Sequence, residues 1–365
     1  MRGHRSERQN KGHFYGTPMF DLRILWIFVF GLVAGVIAKF IGSPMPYMLG
    51  AIFGSACFVL WYEQGDRQLP KLTRWVRLIF MSVIGTMIGS RFTPEFLVLL
   101  PQFWLSIAAL LPYILLAHGG GYAIMRLIGG YQKKDAYYAA LPGGIVDSAV
   151  LAEAAGADLR IVTAQHFIRI IMVVTSIPIL FFLITGEAVG SLAGETMVRA
   201  TEYGVVDLLL ILAIGFMGLT IGRLLRLPVS HMLGPLFLSL ALTLTGTIEI
   251  HFPSWLGDLA QYMVGCALGA QFSGVSRKLL VRGLGMGLLA GTYMLTLAAG
   301  FALILTQYLP TEFGVMFVSF AAGGLAEMSL IALSLNFNPI VVAIHHLVRI
   351  TLTIFCGKLF EKYVR

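Results

Sequence analysis

The sequence predicts an all-α polytopic membrane protein made of two inverted repeats. Each repeat has about five transmembrane helices plus a re-entrant or broken helix at a Gly-Gly motif. Three observations carry that reading. Hydrophobic residues fill 58% of the 365 positions and charged residues only 12%, with a mean hydropathy of +0.83, which is too apolar to cover a water-facing surface. A constellation of glycine pair, carboxylate, histidine and arginine occurs twice, 180 residues apart (143 to 323, 169 to 349), as in an internal duplication. The basic loops fall in opposite phase in the two halves, which under the positive-inside rule means opposite orientations.

In chain order, residues 1–21 form a basic tail, with Arg2, Arg5, Arg8 and Lys11 against Glu7. The apolar run that follows, Leu22 to Phe40, is too long for a signal-peptide core and lacks a small-residue cleavage site. It is read as a first spanning helix behind a cytoplasmic tail. Apolar segments then occupy about 22–40, 46–62, 76–92, 95–128, 135–156 and 159–184, which make up membrane repeat 1 over 22–184. An acidic connector at 185–204 carries Glu187, Glu195 and Glu202 against Arg199. Membrane repeat 2, over 205–365, has segments at 205–226, 229–248, 255–272, 276–308, 311–335 and 338–361. Most are near the roughly 20 residues that a helix rising about 1.5 Å per residue needs to span a ~30 Å hydrocarbon core. Pro44 with Met48-Leu49-Gly50 is echoed by Pro228 with Met232-Leu233-Gly234, and Gly85, Gly89 and Phe92 by Gly265, Gly269 and Phe272.

Loop charge sets the orientation of the halves. In the first half the basic loops follow segment two (Arg67, Lys71, Arg74, Arg77) and segment four (Arg126, Lys133, Lys134). In the second half they follow its first segment (Arg223, Arg226) and its third (Arg277, Lys278, Arg282), while Glu249 and Asp258 follow its second. If all basic loops are cytoplasmic, each half crosses an odd number of times, so one of its six segments does not cross. The segment with the glycine pair is the candidate, because Pro142-Gly143-Gly144 and Gly323-Gly324 can open a helix near its middle. A twelve-helix protein with parallel repeats, in which Gly-Gly serves close packing, is the competing architecture.

Candidate chemistry sits where ionisable groups fall inside apolar runs. A charge at mid-membrane costs roughly 3 kcal/mol, so such groups are paired or face an aqueous cavity. Asp147, beside Ser148, lies three residues after Gly144, and Glu327 three after Gly324. Each carboxylate is therefore about one turn from a helix break and suited to bind H⁺ or Na⁺; Asp147 could instead cap the helix. His166 with Arg169, and His346 with Arg349, each share a helix face, which suits anion capture or a proton relay. Internal ion pairs, Arg169 with Asp147 and Arg349 with Glu327, are the structural alternative. Gln165 and His345 extend the same faces, whereas Glu153 and Asp158 have no acidic counterparts and belong to a loop end. The candidate substrate- and ion-binding residues are thus Gly143, Gly144, Asp147, Ser148, His166, Arg169, Gly323, Gly324, Glu327, His346 and Arg349.

No cofactor or metal site is expected. Cys57, Cys266 and Cys356 show no ligand spacing, and adjacent His345 and His346 point about 100° apart on a helix. The basic residues are scattered, which argues against nucleic acid.

The Met-Leu-Gly repeats, the Leu-Pro-Gly-Gly run with Asp147 and the two His-x-x-Arg stretches resemble the AbrB-type family of bacterial inner-membrane proteins, which consist of a duplicated membrane domain. The resemblance covers nearly the whole chain from Leu22 onward. It implies a multi-pass protein of the bacterial inner membrane, its N-terminus cytoplasmic by loop charge. Members are labelled regulators of gene expression or ammonia monooxygenases, yet these residues offer neither a DNA-binding module nor a clustered His/Cys set for copper or iron. At the level of architecture alone, the inverted reading resembles elevator-type transporters.

The residues point to a secondary transporter of a small anionic solute coupled to H⁺ or Na⁺, with a midplane site between the repeats. A membrane-embedded enzyme, and a sensor or regulator acting through a partner protein, stand as alternatives. The implied partners are the solute, H⁺ or Na⁺ and the lipid bilayer; homo-oligomer formation is left open, and nucleic acid is not implied.

Overall fold

The computed structural model describes residues 21–64, 67–70, 74–92, 100–186, 204–227, 229–275 and 277–364. The basic tail up to residue 20, the connector acids with Arg199, and Lys71, Pro228 and Arg365 lie outside the described residues. The described chain is all helical, seven α-helices per half: α1 Leu22–Phe40, α2 Pro46–Tyr62, α3 Arg74–Gly89, α4 Trp104–Ala123, α5 Lys133–Ala139, α6 Ile145–Ala155 and α7 Leu159–Thr185, then α8 Val205–Leu224, α9 Ser230–Leu244, α10 Ser254–Gly269, α11 Arg277–Leu305, α12 Phe313–Phe320, α13 Leu325–Ser334 and α14 Pro339–Phe360. Six of them, or their continuous extensions, are long and apolar enough to cross a membrane: α1, α4, α7, α8, α11 and α14. The chain is a multi-pass membrane protein.

The duplication reaches the backbone. Met45 and Val229, just before α2 and α9, both take left-handed conformations with φ of 44° and 47°. That conformation costs an ordinary L-residue roughly 1–2 kcal/mol, so its recurrence at equivalent positions marks a shared turn. Gly156 and Asn336 end α6 and α13 in the same way, and one residue type each, Asp158 and Asn338, then caps α7 and α14 through its side-chain oxygen.

Helix directions show that the halves are inverted. Equivalent helices α4 and α11 pack side by side: Tyr113 rings against Phe301 at 5.6 Å, Tyr293 Oη donates to Leu116 O at 2.9 Å, and Gly129 faces Met286. Numbers rise along one helix as they fall along the other, so equivalents run antiparallel, and the parallel-repeat alternative is excluded. Elsewhere non-equivalent helices exchange between halves. Gly85 and Gly89 of α3 approach Met232 and then Leu236 of α9, while Gly265 and Gly269 of α10 approach Met48 and then Ile52 of α2, both in parallel. Glycine is required at these crossings. A Cβ on Gly85 would stand 2.2 Å from Met232 O, and one on Gly234 2.0 Å from Gly218 O, as expected where helices associate through small residues without a hydrophobic driving force.

This exchange sorts the helices into two bundles. One holds α1–α3 with α8–α10; the other holds α4–α7 with α11–α14, so each draws on both repeats. The bundles meet chiefly where α13 and α14 lie on α3.

The Gly-Gly segments re-enter. Lys134 Nζ donates to Ala155 O at 2.8 Å, and Asp158 N to Asp135 Oδ1 at 2.8 Å, so the start of α5 stands beside the end of α6. In the second half the start of α12 likewise meets the end of α13, where a Cβ on Gly314 would overlap the Phe337 ring. Each half therefore has five helices of one kind and one helical hairpin.

Candidate functional site

Each hairpin tip is built by its sequence. Leu141-Pro142-Gly143-Gly144 cannot continue α5, because proline lacks the N–H and glycine lowers the cost of unwinding. Ala321-Ala322-Gly323-Gly324 does the same after α12 with glycine alone. A broken helix leaves backbone carbonyls without intrahelical donors and a partial negative charge at its C-terminal end.

The two arginines answer that need. Arg169 Nη1 donates to Leu141 O at 2.6 Å and Nη2 to Gly143 O at 3.0 Å. Arg349 repeats the grip 180 residues on, with Nη1 donating to Ala321 O and to Phe320 O at 3.3 Å, and Nη2 to Gly323 O at 2.8 Å. Both are buried, at 3% and 1% exposure. Hydrogen bonds to a charged group contribute roughly 1.5–3 kcal/mol each, enough to offset the cost of a membrane-buried guanidinium. His166 completes the first clamp: Nε2–H donates to Tyr138 O at 2.9 Å, which leaves Nδ1 to accept from Arg169 Nη2 at 3.2 Å. His346 is held differently, with Nδ1 donating to Val342 O at 3.0 Å.

The ion pairs that the sequence allows are not formed. Among the described residues neither Asp147 nor Glu327 stands in a salt bridge, because the arginine forks are committed to carbonyls. Nor does Asp147 cap its helix: Gly144 holds the cap position of α6, without a side-chain bond. Asp147 and Glu327 instead occupy the third position of α6 and α13, in the first turn, where a carboxylate is stabilised by the helix dipole. Their oxygens fold back over the second glycine. A Cβ on Gly144 would stand 2.9 Å from Asp147 Oδ2, and one on Gly324 2.0 Å from Glu327 Oε2, which explains the Gly-x-x-acid spacing. Ser148 is buried beside Asp147, its N–H donating to Gly144 O at 3.0 Å.

The equivalent carboxylates differ in surroundings. Glu327, 4% exposed, lies against Phe80 and Met81 of α3 and Met263, Val264 and Ala267 of α10, with Gln271 nearby. Every residue of α13 from Leu325 to Leu333 is buried. In α6 only Ser148 and Ala152 are buried, Asp147 is half-buried, and Val146 and Val150 are 68% and 61% exposed.

The two residue sets meet through α14. Gly143 packs on Thr353, one helical turn beyond Arg349, since a Cβ there would stand 2.9 Å from Thr353 Cγ2. Tyr113 of α4 packs edge-on to Phe320 at 5.3 Å, the residue whose carbonyl Arg349 holds. Gln165 and His345 serve packing between halves: Gln165 Nε2 donates to Gly283 O at 3.1 Å, and His345 Nε2 stands 2.8 Å from Ser106 Oγ. Asp158 belongs to the hairpin base, where hydrogen bonding from Arg160 holds its carboxyl below the usual range.

Sequence reading missed Tyr113, Thr353 and Asp135. A tyrosine or threonine in an apolar run carries little signal, but Asp135 beside Lys133 and Lys134 could have been matched to the turn at 156–158 from hairpin geometry. Among the described residues no three His, Cys, Asp or Glu side chains gather as metal ligands.

Known proteins resemble this chain over most of its length. The family model described as "Transition state regulatory protein AbrB" matches residues 64–365. The chain is similar to "Uncharacterized protein YhjN" of Bacillus subtilis (strain 168), 26% identical over 91% of each chain. It is also similar to "Putative regulator AbrB" of Escherichia coli (strain K12), 24% identical over 87% of this chain and 88% of the relative. With its two Gly-Gly-acid hairpins each clamped by an arginine, the chain is thus a membrane protein that belongs to the AbrB family.

Proposed function

We propose that the protein is a secondary transporter that moves a small anionic solute across the bacterial inner membrane, coupled to H⁺ or Na⁺. Asp147 and Glu327 are the ion-responsive groups, and the arginine clamps hold the hairpin tips that carry them. The observation that supports this reading is the inequality of two equivalent hairpins: α13 is sealed against α3 and α10, while α6 is largely exposed. In a protein of inverted halves, exchanging the two hairpin environments turns an opening on one side into an opening on the other, which is alternating access. The contact of α13 and α14 with α3 is the surface on which that exchange would slide. With the N-terminus cytoplasmic, as the loop charges favour, hairpin 2 enters from outside and hairpin 1 from inside.

Purified protein in proteoliposomes tests the reading directly. Uptake of at least one anion from an organic-anion panel should follow an imposed H⁺ or Na⁺ gradient and stop when the gradient is dissipated. Absence of flux under every gradient would overturn it and favour a role like the one in the E. coli relative's name, that of a regulator. Product formed from a solute in detergent, without any gradient, would instead indicate an enzyme.

A further inference from the structure

A cleft of about 830 Å³ opens between the two bundles, walled by the end of α3, the α9–α10 loop and the α13–α14 loop. Arg91 stands in its wall, half-buried. Among the described residues its guanidinium makes no ion pair. The start of α14 also borders the cleft, but its first free N–H groups are already taken by Asn338, so they are not available to a ligand. Among the described residues the other titratable side chains in the cleft wall are His251, 3.6 Å from Asp207 and 3.7 Å from Glu249, and Glu249, 89% exposed on the rim.

The duplication gives Arg91 a counterpart. Ala267 and Gln271 border the pocket of Glu327, and 180 residues earlier stand Met87 and Arg91, both in the cleft wall. Gln271 thus stands beside Glu327 of hairpin 2, whereas its counterpart Arg91 faces the cleft at the base of the same hairpin, across from Asn338 and Pro339. A half-buried arginine in a polar cleft attracts and orients carboxylates through its planar fork. We infer that this cleft is the uptake vestibule for a small organic carboxylate, and that Arg91 is its anion-binding group. The assignment rests on the transport reading for its role, but on Arg91 and the cleft alone for binding.

Modification of a cysteine placed at Thr247, an exposed residue of the cleft wall, tests it in full-length protein in nanodiscs. The exposed native thiol Cys57 is first removed as Cys57→Ser. A negatively charged methanethiosulfonate should react faster relative to a positively charged one, and Arg91→Gln should lower that ratio by about tenfold, whereas Arg91→Lys should largely retain it. Succinate should slow the modification in the Arg91 protein and not in Arg91→Gln, while chloride at equal ionic strength should not slow it. A charge ratio indifferent to Arg91→Gln, or protection given equally by chloride or equally in both proteins, would overturn the vestibule. Gradient-driven flux that survives Arg91→Gln unchanged would sink this inference and leave transport standing; protection by succinate without any flux would leave the site standing and sink transport.

Discussion

Arg169 and Arg349 grip the same two backbone positions of their respective hairpins: Leu141 and Gly143 in one half, Ala321 and Gly323 in the other. Each arginine converts the broken end of a helix into a fixed tip, and the carboxylate three residues past the second glycine is positioned by that tip.

Removing a clamp should therefore cost stability before it touches chemistry. Arg169→Gln and Arg349→Gln each leave buried carbonyls without their charged donor, a loss of roughly 1–3 kcal/mol per carbonyl left unpaired. Both should lower the thermal midpoint of the detergent-purified protein by similar amounts. A lysine at either position keeps the charge but not the fork, so Arg169→Lys should recover only part of the loss. A midpoint unchanged in both glutamine variants would show that the hairpins do not depend on the arginines.

The two carboxylates should differ in accessibility. In a Cys57→Ser background, a water-soluble maleimide should modify Asp147→Cys faster than Glu327→Cys, because α6 is exposed where α13 is sealed. Equal rates would mean that the two hairpins exchange environments freely at rest. In the flux assay, Asp147→Asn and Glu327→Gln should insert normally yet uncouple solute movement from the gradient; coupled flux retained in both would remove the carboxylates from the mechanism.

Helix crossings built on glycine should tolerate no added methyl. Gly85→Ala and Gly234→Ala would each push a Cβ into a backbone carbonyl, and overpacking of this kind costs about 1–3 kcal/mol. Gly119→Ala, where a Cβ meets nothing within 4 Å, is the matched control and should be neutral in the same melting experiment.

The base of hairpin 1 offers a local test. Asp135 accepts from Asp158 N, and Asp135→Leu would leave that partly buried N–H unpaired at a cost of roughly 1–3 kcal/mol. Hydrogen exchange should rise across residues 133–158 and stay unchanged across 313–338, where Val315 stands at the equivalent position. A uniform rise across both hairpins would contradict a local role.

How much of this was legible follows from what kind of interaction carries each part. Duplication, inversion and the break at Gly-Gly leave marks in composition, loop charge and spacing, so they could be read from Gly143, Gly323 and the arginines. The arginines' partners on the hairpin tips left no mark, because those acceptors are backbone carbonyls and any side chain could stand at Leu141 or Ala321. That is why an ion pair with Asp147 or Glu327 was a reasonable expectation and was not what the fold uses. The unequal burial of α6 and α13 was equally invisible, since both helices follow the same Gly-Gly-x-x-acid pattern. Arg91 carries no signal of its own in the sequence; its place in the cleft wall gives it meaning.

The division of labour between contacts within a half and contacts between halves has an evolutionary corollary. Each clamp is closed by groups from its own half, whereas both bundles are assembled only by trading helices with the other half. A half-length ancestor could have folded its hairpin alone but would have needed a second copy, inserted upside down, to be complete. The present chain should retain that property: severed between residues 187 and 203, the two fragments should reconstitute a working protein when co-expressed, and neither should accumulate by itself.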